Sequence, residues 1–235
     1  MALIIRSLSL DADYADEDAY LGDIEALRTL KQLVFSAQVT FFVGENGSGK
    51  STLLEAMAVG CGFNPEGGTQ NYRFSTYDSH SSLCRHIHMT RSGRLPSWGL
   101  FLRAESYYNV ESAEEAYGES ASRHYHAKSH GESFLEMMQQ NFRPGGLYFL
   151  DEPEAALSPM RLMRLMARMD ALVKQASQFI VSTHSPMLMA FPGAEVYEIS
   201  KRGIQSVNYR DTEHWQITRR FLENPEKMLG YLMDE

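Results

Sequence analysis

The segment GENGSGKS, residues 44–51, constrains this chain more than any other part of its sequence. It follows the apolar run VTFFV and matches the pattern G-x-x-x-x-G-K-[ST] at every fixed position. The run STLLEAMAVGCG after it predicts a helix, so the loop has the strand before it and the helix after it that the pattern requires. Glycines in such a loop allow backbone N–H groups to converge on phosphate oxygens. The sequence therefore predicts a site for a nucleoside triphosphate.

Each position of this glycine loop has a predicted role. Lys50 would reach the β- and γ-phosphates, and the Ser51 hydroxyl would bind Mg²⁺. Thr52 stands at the helix N-terminus, where the helix dipole favours an anion. The other cofactor-binding positions, which would surround the phosphates, are Gly44, Glu45, Asn46, Gly47, Ser48 and Gly49.

Apolar segments alternate with helical patterns along the chain. After a first strand near the N-terminus, LVFSAQVTFFV predicts two strands, and LYFLD and SQFIVS predict two that are almost wholly apolar. Residues 160–176 predict a helix, EVYEISKRGIQSVNY predicts a hairpin, and TEHWQITRRFLENPEKMLGYLM predicts a closing helix. Apolar strands separated by helices predict an α/β fold with a mostly parallel sheet flanked by helices. We expect one domain spanning residues 1–235.

Composition limits the class of protein. The net charge of −8 gives no general attraction to nucleic acid or to anionic lipid. Cys61 and Cys84 lack the pairing of a metal site and fit a reducing compartment. The N-terminal stretch has no signal-peptide cleavage site, and no apolar run approaches the roughly 18 residues that cross a bilayer. We therefore expect a cytoplasmic protein without a membrane span.

Two acids and a histidine follow predicted buried strands. In LYFLDEP, Asp151 stands where its strand emerges beside the glycine loop, and with Ser51 it is the predicted Mg²⁺ ligand. Glu152 is the candidate general base that polarises the attacking water. In IVSTHSP, His184 follows a further strand and can hydrogen-bond the γ-phosphate. A structural histidine is the alternative, but the order of the three elements favours the catalytic role.

A second anion site is predicted in KSHGESF, residues 128–134. Ser129 and Gly131 stand at the start of an amphipathic helix, where backbone N–H groups and a hydroxyl are offered to an anion. A simple helix cap explains the same residues. The local sequence leaves both interpretations open.

The order of these motifs resembles the pattern of ATP-binding cassette (ABC) ATPases over roughly residues 30–190. SHGE resembles the LSGGQ signature of that family, with Ser129, Gly131 and Glu132 in register and His130 in place of a glycine. AALSP resembles the loop that touches the partner subunit. The whole chain resembles the small stand-alone bacterial ATPases related to the SMC and DNA-repair branch.

The resemblance implies a P-loop NTPase fold with an antiparallel N-terminal β portion and a signature subregion at about residues 62–135. It implies ATP and Mg²⁺ as ligands. Because the chain has one glycine loop and one signature, it also implies an ATP-dependent homodimer with two ATP molecules at the interface. Ser129 and Gly131 of one chain would meet phosphate held by Lys50 of the other, and hydrolysis would open the dimer.

Two parts of the family pattern have no clear equivalent in the sequence. Glu105 or Ser106 is our candidate for the glutamine loop, and Tyr14, Tyr20 and Phe35 are candidates for the adenine-stacking residue. The family and the absence of an N-K-x-D motif favour ATP over GTP.

The favoured hypothesis is a cytosolic switch in which Mg-ATP closes a homodimer and hydrolysis reopens it, driving an unidentified protein partner. The alternative is the ATPase subunit of an ABC transporter, which the short, turn-rich segment between Lys50 and Ser129 disfavours. That segment holds no coiled coil, so a compact nucleic-acid sensor is all that remains of an SMC-like function. A non-enzymatic interaction module would leave the Asp151–Glu152 pair without a role.

Weaker patterns leave further hypotheses open. A histidine-rich segment could bind a metal, a second histidine group lies downstream, and three arginines on one side of a predicted helix could touch a phosphate backbone or face solvent. These residues are His80, Cys84, His86 and His88, then His124, His126 and His130, and Arg161, Arg164 and Arg168.

Overall fold

Strands make up the centre of the protein in a computed structural model, which describes residues 3–11, 14, 19–69, 81–93, 95–103 and 137–233. In chain order the described strands are β1 (Ile5–Leu10), β2 (Leu33–Val34), β3 (Val39–Val43), β4 (Gly68–Thr69), β5 (Ile87–Arg91), β6 (Gly99–Arg103), β7 (Leu147–Asp151), β8 (Gln178–Ser182), β9 (Glu195–Ser200) and β10 (Gly203–Ser206).

The strands form two sheets. The larger sheet has the order β10-β9-β3-β8-β7-β6-β4, with parallel pairing from β9 to β6 and an antiparallel strand at each edge. The smaller sheet, β2-β1-β5, is antiparallel. The predicted α/β fold, its mostly parallel sheet and its antiparallel N-terminal portion are therefore confirmed.

Helices connect and cover these strands. They are α1 (Ala19–Asp23), α2 (Glu25–Arg28), α3 (Lys50–Gly60), α4 (Pro159–Val173), α5 (Pro186–Met189), α6 (Glu213–Glu223) and α7 (Pro225–Met233). The C-terminal segment, predicted as one helix, is two helices because Pro225 cannot continue α6 and disfavours helical backbone at Asn224. Of the described helices, none combines the length and hydropathy needed to cross a membrane.

Alternating side chains of the central strands build a core on each face of the larger sheet. Phe42, Phe149 and Ile180 point to the face that α3 and the smaller sheet cover. Phe41, Tyr148 and Val181 point to the opposite face, which α4 covers. All of these side chains are fully buried, so both faces exclude water.

The register of the parallel strands brings their carboxyl ends to one line. Phe42 of β3 pairs with Ser182 of β8, Ser182 pairs with Asp151 of β7, and Asp151 pairs with Arg103 of β6. The loops that leave these strands therefore meet at one edge of the sheet, which is where ligands bind in open α/β sheets.

Gln178 joins the smaller sheet to the larger one. Its buried side chain accepts hydrogen bonds at Oε1 from the backbone N–H groups of Ile4 and Ile5, at 2.9 and 2.8 Å. Its Nε2 donates to the Ile5 carbonyl at 3.0 Å. One amide thus satisfies three backbone groups that are buried away from water.

Replacing this amide by leucine tests the junction. Gln178→Leu should lower the free energy of unfolding by about 3 kcal/mol, because it leaves three buried polar groups unpaired. Urea denaturation followed by circular dichroism measures the change. Gln175→Leu, at an exposed position in the loop before β8, is the control and should stay within about 0.5 kcal/mol of wild type. Equal changes in the free energy of unfolding for the two variants would refute the role of Gln178 in joining the two sheets.

Candidate active site

The glycine loop between β3 and α3 has the backbone that its sequence requires. Gly44, Gly47 and Gly49 have φ of 143°, 77° and 99°, in the region that favours glycine. A Cβ atom on Gly44 would lie 2.2 Å from the Ile199 carbonyl oxygen, and one on Gly49 would lie 2.6 Å from Ile24 Cγ2. At Gly44 and Gly49, therefore, both the backbone conformation and the lack of space for a Cβ atom require glycine.

Lys50 is the cation at the centre of the loop. Its buried side chain donates from Nζ to the carbonyls of Gly44 and Glu45, at 2.9 and 2.8 Å. Burial lowers the pKa of this amine, and the charges of Glu152 and Asp151 oppose that shift. The ammonium thus lies among acidic groups and carbonyls, within the loop predicted to hold phosphates.

Asp151 is hydrogen-bonded to two hydroxyl groups from different elements. Ser51 Oγ, at the start of α3, donates to Asp151 Oδ1 at 2.9 Å. Ser182 Oγ, at the end of β8, donates to the same oxygen. The Ser51 hydroxyl and the Asp151 carboxylate are hard oxygen donors side by side, which fits the preference of Mg²⁺ for oxygen ligands.

Arg103 lies on the other side of Asp151. Its Nε is 3.9 Å from Asp151 Oδ2, while its Nη1 donates to Glu55 Oε2 at 2.6 Å. Glu55 comes from α3, so this ion pair joins the helix after the glycine loop to β6. Because Glu55 already pairs with the guanidinium, Arg103 only partly offsets the charge of Asp151.

Glu152 has strained backbone. Its φ of 46° and ψ of 52° are left-handed, a conformation that costs a non-glycine residue about 1–3 kcal/mol. Its N–H donates to the Ser182 carbonyl at 3.1 Å, which holds the turn in place. The carboxylate is 38% exposed, so it is accessible to water. Strain at an accessible acid beside the loop is typical of a functional position.

Glu154 organises the loop after β8. Its Oε1 accepts from the Thr183 hydroxyl at 2.7 Å and from the backbone N–H groups of His184 and Ser185 at 2.6 and 3.1 Å. Burial raises the pKa of this carboxyl, and the hydrogen bond from Thr183 opposes the shift. Glu154 therefore fixes the backbone that carries His184.

His184 lies between Glu152 and a second histidine. Its Nε2 is 3.2 Å from Glu152 Oε1, and its Nδ1 is 2.9 Å from Nε2 of His214 in α6. Burial and the nearby Lys50 charge lower the pKa of His184, while Glu152 opposes the shift. Burial, together with His184 and Lys50, also lowers the pKa of His214. Both shifts favour the neutral form of the ring.

A cleft of about 550 Å³ adjoins the outer side of the glycine loop. It lies between α1–α2 and the turn from β9 to β10, and its volume is within the range of small-molecule sites. Its lining includes Asp23, Ile24, Gly44–Ser48, Ser200–Arg202 and His214. The cleft offers room for the nucleoside part of a ligand whose phosphates occupy the loop.

The structure brings together most of the predicted site residues. Lys50, Ser51, Asp151, Glu152 and His184 lie at the same edge of the sheet, and Thr52 follows them in α3. Ser129, Gly131 and Glu132 lie outside the described residues, as do Glu105, Ser106, His80 and the histidines at 124, 126 and 130.

Two predicted adenine contacts are wrong. Tyr14 and Phe35 are 6% and 3% exposed and belong to the apolar core, so neither ring can stack on a base. Tyr20 is 59% exposed and stays a candidate.

The weaker histidine and arginine hypotheses gain no support. His88 Nε2 contacts Asp11 Oδ1 at 2.7 Å, and His86 Nδ1 lies 3.8 Å from Asp11. In the part of the chain that the structure describes, no three His, Cys, Asp or Glu side chains are grouped to hold a metal ion. Arg168 donates to the Phe142 carbonyl at 2.8 Å, so it supports packing.

Four residues of the site were missed by sequence reasoning. Ser182 and Glu154 had a signal, since polar residues beside His184 and Glu152 follow apolar strands. Arg103 also ends an apolar strand, GLFLR. His214 lies 30 residues after His184 in a polar helix, and nothing in its local sequence marks it.

Comparisons with known proteins give two matching family models and a relative. A family model described as "AAA domain" matches residues 23–94, and one described as "AAA domain, putative AbiEii toxin, Type IV TA system" matches residues 137–190. A relative from Haemophilus influenzae, named "Uncharacterized ABC transporter ATP-binding protein", is 28% identical over 184 residues, which cover 68% of each chain.

Two solved structures are similar to the whole or most of the chain. The first is cbiO1 from Clostridium perfringens, part of the ABC transporter complex cbiONQ, with a TM-score of 0.51 and 16% identity over 100% of both chains. The second is the SMC head domain from Thermotoga maritima, with a TM-score of 0.48 and 16% identity over 88% of this chain and 99% of its own.

The fold and the glycine loop define a P-loop ATPase, an enzyme that binds ATP and hydrolyses it. Within that class the chain is similar to ABC-type ATPases, as the name of the Haemophilus influenzae relative indicates, and its fold is similar to that of cbiO1.

Substitution of Gly44 tests the geometry of the loop. Gly44→Ala should weaken ATP binding at least about tenfold, because the new Cβ would collide with a backbone carbonyl and distort the loop. Isothermal titration calorimetry measures the affinity. The control is Gly62→Ala, which has φ of 87° and open space around it; it should cost about 1 kcal/mol of stability and leave ATP affinity unchanged. Unchanged binding by Gly44→Ala would contradict the loop geometry.

Proposed function

We propose that residues 1–235 form one cytosolic ABC-type ATPase domain that hydrolyses Mg-ATP in an ATP-sandwich homodimer and acts as a switch for a partner protein. The observation that carries this proposal is the convergence of Lys50, Ser51, Asp151 and Glu152 at one sheet edge. The Lys50 ammonium, the Ser51–Asp151 hydrogen bond and the accessible Glu152 supply the charges and proton acceptor that phosphoryl transfer requires.

Phosphate and metal binding are assigned to the loop and its neighbours. Backbone N–H groups of Gly44–Gly49, with Thr52 at the helix start, hold the phosphates, and Lys50 moves from its own loop carbonyls to the phosphate oxygens. Ser51 and Asp151 hold Mg²⁺, with Ser182 keeping Asp151 in place. When bound, Mg²⁺ neutralises charge on the phosphate oxygens.

Glu152 and His184 are assigned to the chemical step. Glu152 accepts a proton from the attacking water, a role that fits its exposed carboxylate. Neutral His184 donates its Nε2–H toward the γ-phosphate. Glu154 maintains the loop on which His184 stands, so it positions the histidine without touching the substrate.

The dimer is supported by the surface beside Glu152. Ala155 and Ser158 are exposed in the segment between β7 and α4, and Met160 and Met163 of α4 are 60% and 46% exposed. An apolar surface next to a charged site suits a protein interface. In the proposed dimer, Ser129, Gly131 and Glu132 of one chain complete the site of the other.

Loss of the Lys50 charge tests the phosphate assignment. Lys50→Ala should weaken ATP binding by at least about tenfold, because no other cation replaces the ammonium inside the loop. Fluorescence titration with a labelled ATP analogue measures the affinity. Lys174→Ala, at an exposed ion pair with Asp170, is the matched control and should bind as wild type does. If Lys50→Ala binds as tightly as the control, the phosphate assignment is wrong.

Neutralising Glu152 tests the dimer and the general base together. Glu152→Gln should bind ATP, lose about 100-fold or more in kcat and accumulate as a closed dimer. Light scattering after size exclusion with Mg-ATP should show the mass rise from the 26.7 kDa of one chain to about twice that value. Mg-ADP should give no rise. Glu226→Gln, in the exposed first turn of α7, is the control for charge loss.

A monomer that still binds Mg-ATP would contradict the homodimer. Residues 128–134 would then be a helix cap, or a different chain would supply the second half of the site. If Glu152→Gln has wild-type kcat, Glu152 is not the general base. The homodimer is then tested by the mass measurement alone.

A transporter subunit is the second candidate function. The similarity to the Haemophilus influenzae ABC transporter ATP-binding protein and to cbiO1 of the cbiONQ transporter complex favours it. Such a subunit should co-purify with a membrane protein from solubilised membranes of the native host. Recovery of the tagged chain in the soluble fraction, without a membrane partner, favours the switch.

A further inference from the structure

His214 lies beside the candidate active site, although it belongs to none of the segments that carry the glycine loop, LYFLDEP or IVSTHSP motifs. It lies in the first turn of α6, and its Nε2 is 2.9 Å from His184 Nδ1. The two rings also contact each other, with centroids 4.9 Å apart and planes inclined by 54°. The contact joins residues 30 positions apart in the chain.

The start of α6 is held firmly enough to fix this contact. Thr212 is buried and caps the helix, since its Oγ1 accepts from the Trp215 N–H at 3.4 Å. The same hydroxyl donates to the Tyr209 carbonyl at 2.6 Å and lies 3.7 Å from Met189 Sδ in α5. Because α5 begins two residues after His184, both histidines are attached to neighbouring, mutually anchored elements.

The polar neighbours of His184 determine which of its nitrogens carries the proton. Nε2 lies 3.2 Å from the carboxylate oxygen of Glu152, which can only accept, so the proton of the neutral ring belongs on Nε2. Nδ1 is then the acceptor, and His214 must donate its own Nε2–H to it. The Glu152 carboxylate lies within reach of this buried Nε2 but does not meet the geometry of a hydrogen bond, so the Nε2 proton can also be offered to a second acceptor.

We propose that His214 is a positioning residue for ATP hydrolysis: by donating to Nδ1 of His184 it holds that ring as the Nε2–H tautomer, with the proton directed into the site. The proposal rests on the proposed function, in which His184 Nε2–H meets the γ-phosphate. A histidine whose second nitrogen is fixed by a partner keeps its orientation through the cycle. Without this partner, the ring can turn over or take the other tautomer, and fewer molecules present a donor to phosphate.

Three substitutions separate hydrogen bonding from packing. His214→Gln places an amide N–H near the position of Nε2 and should keep kcat within about threefold of wild type. His214→Phe keeps an aromatic ring against His184 without a donor, and with His214→Ala it should lose about tenfold or more in kcat. The KM for ATP should change less than kcat does, because the glycine loop holds the phosphates, although His214 also lines the cleft beside that loop. Thermal denaturation verifies that each variant is folded.

A direct readout comes from ¹⁵N NMR of the histidine rings. Wild-type protein and His214→Gln should show His184 as the Nε2–H tautomer, and His214→Phe should show a mixture. The measurement needs no ATP turnover. A wild-type His184 protonated on Nδ1, or a His214→Phe variant with wild-type kcat, would overturn the proposal.

A double-mutant cycle distinguishes this failure from failure of the proposed function. His184→Ala should lower kcat. Adding His214→Phe to that variant should lower kcat no further, because His214 acts through His184. If His184→Ala is slow but His214→Phe is not, the positioning role alone is refuted. If His184→Ala has wild-type kcat, the γ-phosphate role of His184 is refuted and the positioning role with it.

Discussion

The hydrogen bonds of Asp151 are the constraint on which the rest of the site depends. Its Oδ1 accepts from Ser51 at the start of α3 and from Ser182 at the end of β8. Three segments that leave different strands are thereby joined at one oxygen. The parallel register makes this possible, since it places Asp151 and Ser182 opposite each other. The glycine loop, the turn at Glu152 and the loop that carries His184 are consequently held in fixed positions relative to one another.

The charges of the site favour a cation. Asp151, Glu152 and Glu154 lie around Lys50, and Arg103 is already paired with Glu55. Phosphate would add further negative charge, so like charges would repel unless a divalent ion offset them. This imbalance supports the proposed Mg²⁺ site.

The sequence predicted the fold and the centre of the site, because both depend on local patterns. Apolar strands with polar ends indicated the parallel sheet, and the glycine loop indicated Lys50 and Ser51. Long-range packing was not predictable in this way. Gln178 gave no sign that it would bind Ile4 and Ile5, over 170 positions away. His214 and the burial of Tyr14 and Phe35 likewise depend on how separate segments meet in space.

The left-handed backbone of Glu152 has an evolutionary consequence. Glycine adopts this conformation without strain, so Glu152→Gly would relax the turn while deleting the carboxylate. Loss of this acid would therefore stabilise the fold by the strain of about 1–3 kcal/mol, less the roughly 0.5–1 kcal/mol of backbone entropy that a glycine loses on folding. A lineage released from selection for turnover could drift toward an inert, more stable relative by one codon change. A requirement for the chemistry of this acid would have to hold it in place against that gradient.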